Sequence, residues 1–269
     1  MQFIVIIFFT FAFCLLPCTL PSGAAQLEEI QQRGYIKIAV KDNLRPLAFR
    51  DQSGNLHGLE IDLAQRLAQD LLGNNKAFRF EPVLNRDRIS QVLDNKVDIA
   101  IARVTATSSR ARIVNFSIPY YLDSTVLVTK NTSIQRLEDF KQQRIGVLSG
   151  SSTIARVKYF IPNAELVGVN SYIQAQNLLE TNKIEAFAAD ATVLSGWIQQ
   201  YPQYRLLSAR LSTEPLCVVI GKGLQNDKLR RQIDIIIARY QETGWLQERI
   251  KYWGLPPSRI AELKVLSAE

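Results

Sequence analysis

An arginine preceded by a run of hydroxyl residues lies at the end of segment 105–110, in the order Thr-Ala-Thr-Ser-Ser-Arg. The segment follows residues 97–102, whose mostly apolar side chains predict a buried strand. A hydroxyl-rich turn that opens a short helix presents backbone N–H donors, and the guanidinium fork of Arg110 matches the two oxygens of a carboxylate. Arg110 is therefore a candidate carboxylate-binding residue. For Arg110 taken alone, a helix cap or a solvated charge is the alternative.

Other polar residues also follow predicted strands. Residues 149–153, Ser-Gly-Ser-Ser-Thr, come after the apolar run 145–148 and open a predicted helix, so they form a second small anion cradle. Asp190 ends the run 186–189, where a carboxylate could hold an ammonium group, and Lys41 ends the first predicted strand. Each of these alone could be a cap or a solvated charge. Together, two anion cradles and one acid fit a zwitterion.

The rest of the chain alternates strand-like and helix-like segments. Predicted strands cover residues 35–40, 78–83, 97–102, 125–128, 145–148, 166–169, 186–189 and 217–220. Predicted helices cover residues 59–72, 89–93, 153–160, 171–181, 191–200 and a long C-terminal stripe from 229 to 240. This βαβ rhythm indicates an α/β fold with parallel sheets covered by helices. Because open α/β sheets bind ligands beyond the carboxyl ends of their strands, the polar residues above are well placed for a site.

Catalytic and metal-binding patterns are absent from the sequence. It contains neither a glycine-rich phosphate loop nor HExxH nor CxxC, and His57 is its one histidine. His57 lies beside a predicted turn and lacks the partners that a Ser-His dyad or a metal site would need. The net charge of +7 comes from scattered basic residues with no basic-aromatic stripe, which argues against nucleic-acid binding. We therefore expect no cofactor, no metal and no nucleic-acid partner.

The N-terminus has the pattern of an export signal. Residues 1–27 carry no charged side chain, and an apolar stretch is followed by the small residues 22–25. This predicts a signal peptide over residues 1–25, with an uncleaved membrane anchor as the alternative. Cys14 and Cys18 fall inside the signal, which leaves Cys217 as a single thiol in an apolar run. A disulfide framework is thereby excluded, and Cys217 is predicted to be a buried structural residue.

Short motifs in a fixed order carry a resemblance to a known family. They lie at residues 34–40, 46–49, 54, 58–63, 96–98, 115–121, 146, 150–152 and 253–254, together with the motif Thr105-x-Thr107-x-x-Arg110. Across about residues 34–256 the chain resembles the extracellular solute-binding proteins of family 3, the polar amino-acid-binding proteins of ABC uptake systems. Each motif is weak alone, but this many in order is highly specific.

The resemblance implies a two-lobed periplasmic-binding-protein fold of type II. Each lobe is a mostly parallel sheet flanked by helices, and two hinge strands join the lobes, which close on the ligand. The expected first lobe comprises residues 26–122 and 215–269, and the expected second lobe comprises 123–214. The implied function is an extracytoplasmic substrate-binding protein without catalytic residues. It would act as a monomer that captures a free amino acid and delivers it to a membrane permease.

The resemblance also assigns roles to residues. Arg110 and Thr105 would bind the α-carboxylate of the ligand, and the backbone around Ser151 and Ser152 would assist from the second lobe. Asp190 would bind the α-amino group. These five residues form the predicted zwitterion site.

Specificity would depend on further cations. Lys41 and Arg88 match positions that are basic in the aspartate- and glutamate-binding branch of the family. Segment 85–89 also lacks the aromatic platform that glutamine and basic-amino-acid binders tend to place there. Two extra cations would pair with a side-chain carboxylate and repel lysine or arginine. The predicted ligand is therefore glutamate or aspartate, unless both residues point to solvent.

The sequence departs from the family at Arg103, where a small residue is usual. Arg103 could fill part of the site, contact an anionic ligand or turn away. Leu44 and Leu47 replace frequent aromatic residues, which leaves the size of the ligand open. Two other functions remain as alternatives. One is an enzyme on the same scaffold, such as a cyclohexadienyl dehydratase or a lytic transglycosylase, and the other is the ligand-binding subunit of a sensor.

Overall fold

The computed structural model describes residues 26–258 and 260. The predicted signal peptide, residues 1–25, and its alternative as an anchor helix lie outside the described residues. Within the described part, every helix is too short or too polar to span a bilayer.

The described part alternates strands and helices over its whole length. The α-helices are α1 Gln26–Arg33, α2 Leu59–Leu72, α3 Ser90–Leu93, α4 Thr153–Phe160, α5 Tyr172–Glu180, α6 Ala191–Gln200, α7 Asp227–Glu242 and α8 Trp245–Tyr252. The strands are β1 Ile36–Val40, β2 Asn43–Leu44, β3 Ala48–Arg50, β4 Leu56–His57, β5 Phe78–Pro82, β6 Ile99–Ile101, β7 Val114–Phe116, β8 Tyr121–Asp123, β9 Thr125–Thr129, β10 Arg144–Leu148, β11 Glu165–Val169, β12 Ala186–Asp190, β13 Arg205–Leu206, β14 Glu214–Leu216 and β15 Val219–Gly221.

The first lobe is built on a five-stranded sheet in the order β5-β1-β6-β15-β7. Strand β1 pairs in parallel with β5 and β6, and β15 runs antiparallel to both β6 and β7, so four of the five strands share one direction. Helix α2 covers this sheet because Leu63 and Leu67 recur on one helical face with small alanines beside them, and all are buried. The helix ends at Gly73, whose left-handed backbone (φ 73°) suits glycine.

The second lobe has the same design. Its sheet has the order β11-β10-β12-β9-β13, in which β10 pairs in parallel with β11 and β12, while β9 runs antiparallel to β12 and β13. Again four of the five strands share one direction. Apolar clusters lie on both faces of this sheet, and they include Phe187 and Leu194 on one face and Phe140 and Ile145 on the other. The predicted α/β fold with mostly parallel sheets is confirmed.

Two antiparallel strands carry the chain between the lobes. Strands β8 and β14 pair from Tyr121↔Leu216 to Asp123↔Glu214. The hydroxyl of Tyr121 donates a hydrogen bond to the carbonyl oxygen of Pro256 (2.9 Å), which fastens the C-terminal segment to this crossing. The predicted lobe boundaries, after residues 122 and 214, fall at this strand pair and stay a prediction.

One predicted strand begins later than its apolar run. Residues 217–220 are apolar, yet β15 begins at Val219, because the N–H of Cys217 donates to the carbonyl oxygen of Val104 (3.1 Å) and the N–H of Val218 donates to Oγ of Ser117 (2.9 Å). Cys217 is 2% exposed, and burial raises the pKa of its thiol to about 12. The prediction of a buried, unpaired structural thiol is confirmed.

Candidate functional site

A cavity of about 490 Å³ lies between the lobes, beside the crossing strands. The loop after β6 lines it from the first lobe, the start of α4 lines it from the second lobe, and β14 closes one side. The polar residues in its wall are Thr105, Thr107, Ser109, Arg110, Ser152, Arg156, Thr213 and Glu214. The cavity therefore brings three of the predicted zwitterion-site residues together, namely Arg110, Thr105 and Ser152.

Arg110 opens a short 3₁₀ turn and is half-buried at the cavity wall. Its Nη1 donates to the carbonyl oxygen of Thr105 (2.8 Å), and its backbone N–H donates to Oγ1 of Thr107 (3.3 Å). The loop is anchored to β14 because the N–H of Ala106 donates to the carbonyl oxygen of Pro215 (2.9 Å). A guanidinium has five N–H donors, so the bond to Thr105 leaves Arg110 able to bind a carboxylate in the cavity.

The second lobe contributes the N-terminal end of α4. The N–H of Ser151 donates to the carbonyl oxygen of Leu148 (3.1 Å), so this donor is already engaged. The Oγ of Ser151 is buried and has no hydrogen-bond partner among the described residues. Ser152 is exposed at the cavity edge, and the first N–H groups of a helix have no acceptor within the helix. The backbone donors available from this lobe are therefore those at the first turn of α4.

Arg156 is a cavity residue that the sequence analysis missed. It lies one helical turn after Ser152 on α4 and adds a second guanidinium to the wall that holds Arg110. Residues four apart on a helix share one face, so a site that contains Ser152 could also have been predicted to contain Arg156. Glu214, on β14, is a second missed residue of this wall, and its carboxylate accepts from the hydroxyl of Ser212 (3.1 Å).

A smaller cavity of about 210 Å³ lies on the other side of the loop after β6. Lys41, Asn43, Asn85, Arg103 and Tyr172 are among its lining residues. Lys41 is only 4% exposed, and its Nζ donates to the carbonyl oxygen of Val83 (2.7 Å). Burial, followed by the nearby charge of Arg88, lowers the pKa of the Lys41 ammonium. Lys41 is thus a buried cation at the edge of the cleft with a main-chain partner.

Arg88 uses its guanidinium to hold the main chain. Its Nε donates to the carbonyl oxygen of Asn85 (2.9 Å), and its Nη1 donates to the carbonyl oxygens of Ala102 (3.0 Å) and Arg103. Burial, followed by the charges of Arg103 and Arg110, lowers the pKa of Arg88. The structure therefore places Arg88 beneath the loop after β6, where its positive charge contributes to the field of the cleft.

The backbone of Arg103 is held in the left-handed region, with φ 49°. Few residues other than glycine adopt this conformation, and it persists only where the surroundings impose it. Here the N–H of Arg103 donates to Oε1 of Glu60 (2.7 Å), while its carbonyl oxygen accepts from Arg88. Glu60 is fully buried, also accepts from the hydroxyl of Tyr120, and has its pKa raised by burial.

The side chain of Arg103 crosses the cleft to the second lobe. Its Nη2 forms an ion pair with Oδ2 of Asp190, at the end of β12, and its Nε lies 3.8 Å from Oδ2 of Asp123 on β8. The side chains of Arg103 and Asp190 are each 20% exposed. Of the three possibilities raised for Arg103, the structure places its guanidinium inside the cleft and not away from it. Asp190, the predicted ammonium-binding residue, therefore has a cationic partner within the protein.

Asp123 is the second carboxylate beside the guanidinium of Arg103. Its carboxylate accepts hydrogen bonds from the N–H of Ser124 (2.8 Å) and from both the N–H (3.2 Å) and the hydroxyl (2.6 Å) of Thr192. Burial raises the pKa of Asp123, and the charge of Arg103 opposes that shift. Asp123 is a missed residue of the site, because its position on a crossing strand gave no pattern that pointed to the cleft.

Two further contacts show that the lobes touch. Gly196 in α6 packs on the main chain of Arg45, so closely that an added Cβ would lie 2.3 Å from the carbonyl oxygen of Arg45. The side-chain amide of Gln199 donates to the carbonyl oxygen of Trp253 (2.8 Å). Together with the Arg103–Asp190 ion pair, these contacts join the two lobes across the cleft.

The described residues contain no group of histidine, cysteine, aspartate and glutamate side chains that could hold a metal ion. The donors gathered at the cleft are guanidinium, ammonium, hydroxyl and backbone N–H groups, with carboxylates on the opposite side. This set can bind a small ligand that carries a carboxylate together with a cationic group.

Comparisons with known proteins agree with this geometry. The chain is 26% identical over 230 residues to the ABC transporter glutamine-binding protein GlnH of Bacillus subtilis, covering 84% of each chain. It is 25% identical over 222 residues to the glutamate-binding protein GluB of Corynebacterium glutamicum, covering 79% of this chain and 75% of that one. The crystal structure of a cysteine-binding protein from Campylobacter jejuni superposes with a TM-score of 0.66 at 25% identity, covering 85% of this chain and 92% of that one.

The family assignment follows from a match that spans most of the chain. The sequence model of the bacterial extracellular solute-binding proteins, family 3, matches residues 36–256. This interval begins at β1 and ends after α8, so it includes both lobes, both crossing strands and the cleft between them. The chain belongs to the bacterial extracellular solute-binding proteins, family 3.

Proposed function

We propose that this protein binds a polar amino acid, glutamate or aspartate, between its lobes outside the cytoplasm and delivers it to the permease of an ABC transporter. The observation that carries the proposal is the cavity that Arg110 shares with Thr105 and with the N-terminal end of α4. A free amino acid has one carboxylate for this cavity and one ammonium for Asp190, and these two anchors come from different lobes. A ligand that bridges both lobes stabilises the closed form, which is the form a permease can distinguish.

The charge of the cleft supports an acidic ligand. Lys41, Arg88, Arg103, Arg110 and Arg156 place five cationic side chains at or beneath the two cavities, where their combined field favours an anion. Three carboxylates, those of Asp123, Asp190 and Glu214, offset only part of this charge, and the buried Glu60 has a raised pKa. A second carboxylate on the ligand is attracted by this excess, whereas the side chain of lysine or arginine is repelled.

Isothermal titration calorimetry of the purified protein against the twenty common amino acids tests this function. We expect saturable one-to-one binding, with glutamate or aspartate the tightest ligand and lysine and arginine the weakest. Endogenous ligand is removed by partial unfolding and dialysis before the titration, so that the absence of a heat signal means the absence of binding. Absence of binding to every amino acid would refute the function, and preference for a basic amino acid would refute the acidic specificity.

Two direct assays separate the alternative functions. Turnover of prephenate or release of soluble peptidoglycan fragments by the protein would establish an enzyme on this scaffold, and we expect neither. Co-purification with a membrane kinase instead of a transporter permease would establish a sensor subunit. The curated relatives whose names are given above are binding proteins, which favours transport.

A further inference from the structure

Asp190 is already neutralised by the protein itself. The guanidinium of Arg103 reaches it across the cleft, while the backbone of Arg103 stays fixed on the first lobe by Glu60 and Arg88. An incoming ammonium group therefore competes with Arg103 for the carboxylate of Asp190. In this pair the side chain of Arg103 is 20% exposed, so a guanidinium that is displaced from Asp190 but stays in the cleft needs a new anion.

Within the described part of the chain, the second carboxylate beside the Arg103 guanidinium is a weaker partner than Asp190. The nearest other carboxylate, Asp123, lies 3.8 Å from Nε of Arg103. Its oxygens already accept three hydrogen bonds, from Ser124 and from the N–H and hydroxyl of Thr192. A partly buried cation that loses its ion pair without replacement is costly, so binding of a neutral amino acid is penalised.

We infer that Arg103 is the specificity-determining residue of this cleft, acting through an exchange of ion-pair partners when an acidic amino acid binds. The ligand's α-ammonium takes the place of Arg103 on Asp190, and the guanidinium of Arg103 turns to the ligand's second carboxylate. Every charge that is displaced then regains a partner. A neutral amino acid completes only half of the exchange, and a dicarboxylate without an amino group has no ammonium to give to Asp190. The inference rests on the proposed function and specifies its ligand class.

The same geometry argues against Lys41 and Arg88 as direct partners of the second carboxylate. The Nζ of Lys41 is 2.7 Å from the carbonyl oxygen of Val83, and Lys41 is 4% exposed. Arg88 donates to three main-chain carbonyl oxygens under the loop. Releasing Lys41 or Arg88 would remove a donor from the main-chain carbonyl groups of the buried residues Val83 and Ala102, respectively. Arg103 lines the smaller cavity and is the cation at this position whose side chain already spans the cleft.

Calorimetry with three matched ligands tests the exchange: glutamate, glutamine as its neutral isostere, and glutarate as glutamate without the amino group. For the wild-type protein we expect glutamate to bind about tenfold or more tightly than either of the others, since each lacks one charge-assisted contact. Arg103→Gly should lower the glutamate-to-glutamine affinity ratio about tenfold or more. Glycine suits the left-handed backbone at this position, so the variant should fold.

Control variants make the outcome decisive. Arg86→Ala removes one positive charge from an 81% exposed side chain near the cleft and should leave the ratio unchanged. Arg103→Lys keeps a cation but loses the fork, so its ratio should fall between those of the wild type and Arg103→Gly. An unchanged ratio in Arg103→Gly would overturn the inference, and so would glutarate binding as tightly as glutamate to the wild type. If the wild type binds no amino acid at all, the proposed function itself has failed, which is a separate result.

Discussion

Two arginines of the loop after β6 have opposite settings. Arg110 donates to the carbonyl oxygen of Thr105 in its own loop and faces the larger cavity. Arg103 forms an ion pair with Asp190 on the other lobe and lies 3.8 Å from Asp123. The acceptor of Arg110 is a neutral carbonyl group, whereas both neighbours of Arg103 are carboxylates.

This difference shows how one side-chain type serves two purposes in a single cleft. A guanidinium bonded to a neutral carbonyl keeps its charge for an incoming anion, so Arg110 is suited to capture the ligand carboxylate. A guanidinium paired with a carboxylate gives up that pairing only in exchange for another anion, so Arg103 is suited to select among ligands. We therefore propose that Arg110 sets whether an amino acid binds and that Arg103 sets which amino acid binds.

Arg110→Ala should have the largest effect on binding. We expect affinity for every amino acid to fall about 100-fold or more, because truncating one partner of a desolvated charge pair leaves the ligand carboxylate without its donors. Arg112→Ala, at an exposed arginine of the same 3₁₀ turn, is the matched control and should bind normally. Calorimetry with glutamate measures both. Wild-type affinity in Arg110→Ala would remove Arg110 from the site.

The two arginines also show which features of the molecule the sequence could predict and which it could not. The alternating pattern located the strands and helices because each apolar face is local information, and helix α2 has the predicted bounds 59–72. The presence of Arg110 and Thr105 in one cavity wall could be predicted because the hydroxyl residues and Arg110 are adjacent in sequence. Helix α4 likewise begins at Thr153, directly after the predicted serine-rich turn.

The pairing of Arg103 with Asp190 could not be predicted in this way. It joins residues from different lobes, and it depends on a left-handed backbone that Glu60 and Arg88 impose from beneath the loop. The main-chain bond of Lys41 was hidden for the same reason, since the acceptor at Val83 is brought near only when β1 and β5 pair. Sequence patterns identify charges near a site, whereas tertiary contacts decide which of them are free.

Asp190→Asn distinguishes the role of Arg103 from that of Arg110, because it removes the carboxylate that pairs with Arg103. We expect glutamate affinity to fall about tenfold, because the ligand ammonium loses a charge-assisted bond. Glutarate affinity should rise in the same variant, since Arg103 is then released to meet a carboxylate without any exchange. Titrations with both ligands make the comparison. Equal losses for glutamate and glutarate would show that Asp190 does not hold Arg103 back.

Gly196→Ala tests the part of the site that requires closed lobes. An added Cβ would lie 2.3 Å from the carbonyl oxygen of Arg45, so closure should be hindered and the Arg103–Asp190 pair weakened, while Arg110 stays intact on its own lobe. We expect a loss of affinity of a few-fold, up to about tenfold. Stability of the ligand-free protein should fall as well, because the added Cβ meets the main chain of Arg45 in this conformation, although the higher helix propensity of alanine offsets up to about 1 kcal/mol of the loss.

Thermal unfolding and titration together measure this effect. Gly168→Ala is the control, since it is an exposed glycine in the same lobe whose nearest neighbour is Oγ of Ser149 at 3.2 Å. Small-angle scattering with saturating glutamate should give a larger radius of gyration for Gly196→Ala than for the control. Identical radii and affinities would show that the contact between Gly196 and Arg45 does not limit closure.

Glu60→Gln should have the smallest effect, visible as a change in pH dependence. Burial raises the pKa of Glu60 in the folded protein, so as pH rises through the interval between its unfolded and folded pKa values the unfolded state loses its proton first. Glu60 therefore makes the folded protein less stable as pH increases. The free energy of unfolding of Glu60→Gln, relative to the wild type, should rise as the pH increases from about 4 to neutrality.

Urea unfolding across that pH range measures the difference, and the other carboxyl groups with raised pKa values cancel because both proteins contain them. The side-chain amide oxygen introduced by Glu60→Gln can still accept from the N–H of Arg103, so glutamate affinity at neutral pH should change little. If the free energies of unfolding of the wild type and of Glu60→Gln changed in parallel with pH, Glu60 would have the same pKa in the folded and unfolded states.

A crystal structure of the protein with bound glutamate tests the central account most directly. We predict that the α-carboxylate lies on the guanidinium of Arg110 and that the α-ammonium contacts Asp190. The guanidinium of Arg103 should have moved from Asp190 to the second carboxylate of the ligand. A glutamate bound away from Arg110, or one bound there with the Arg103–Asp190 ion pair intact, would contradict the account.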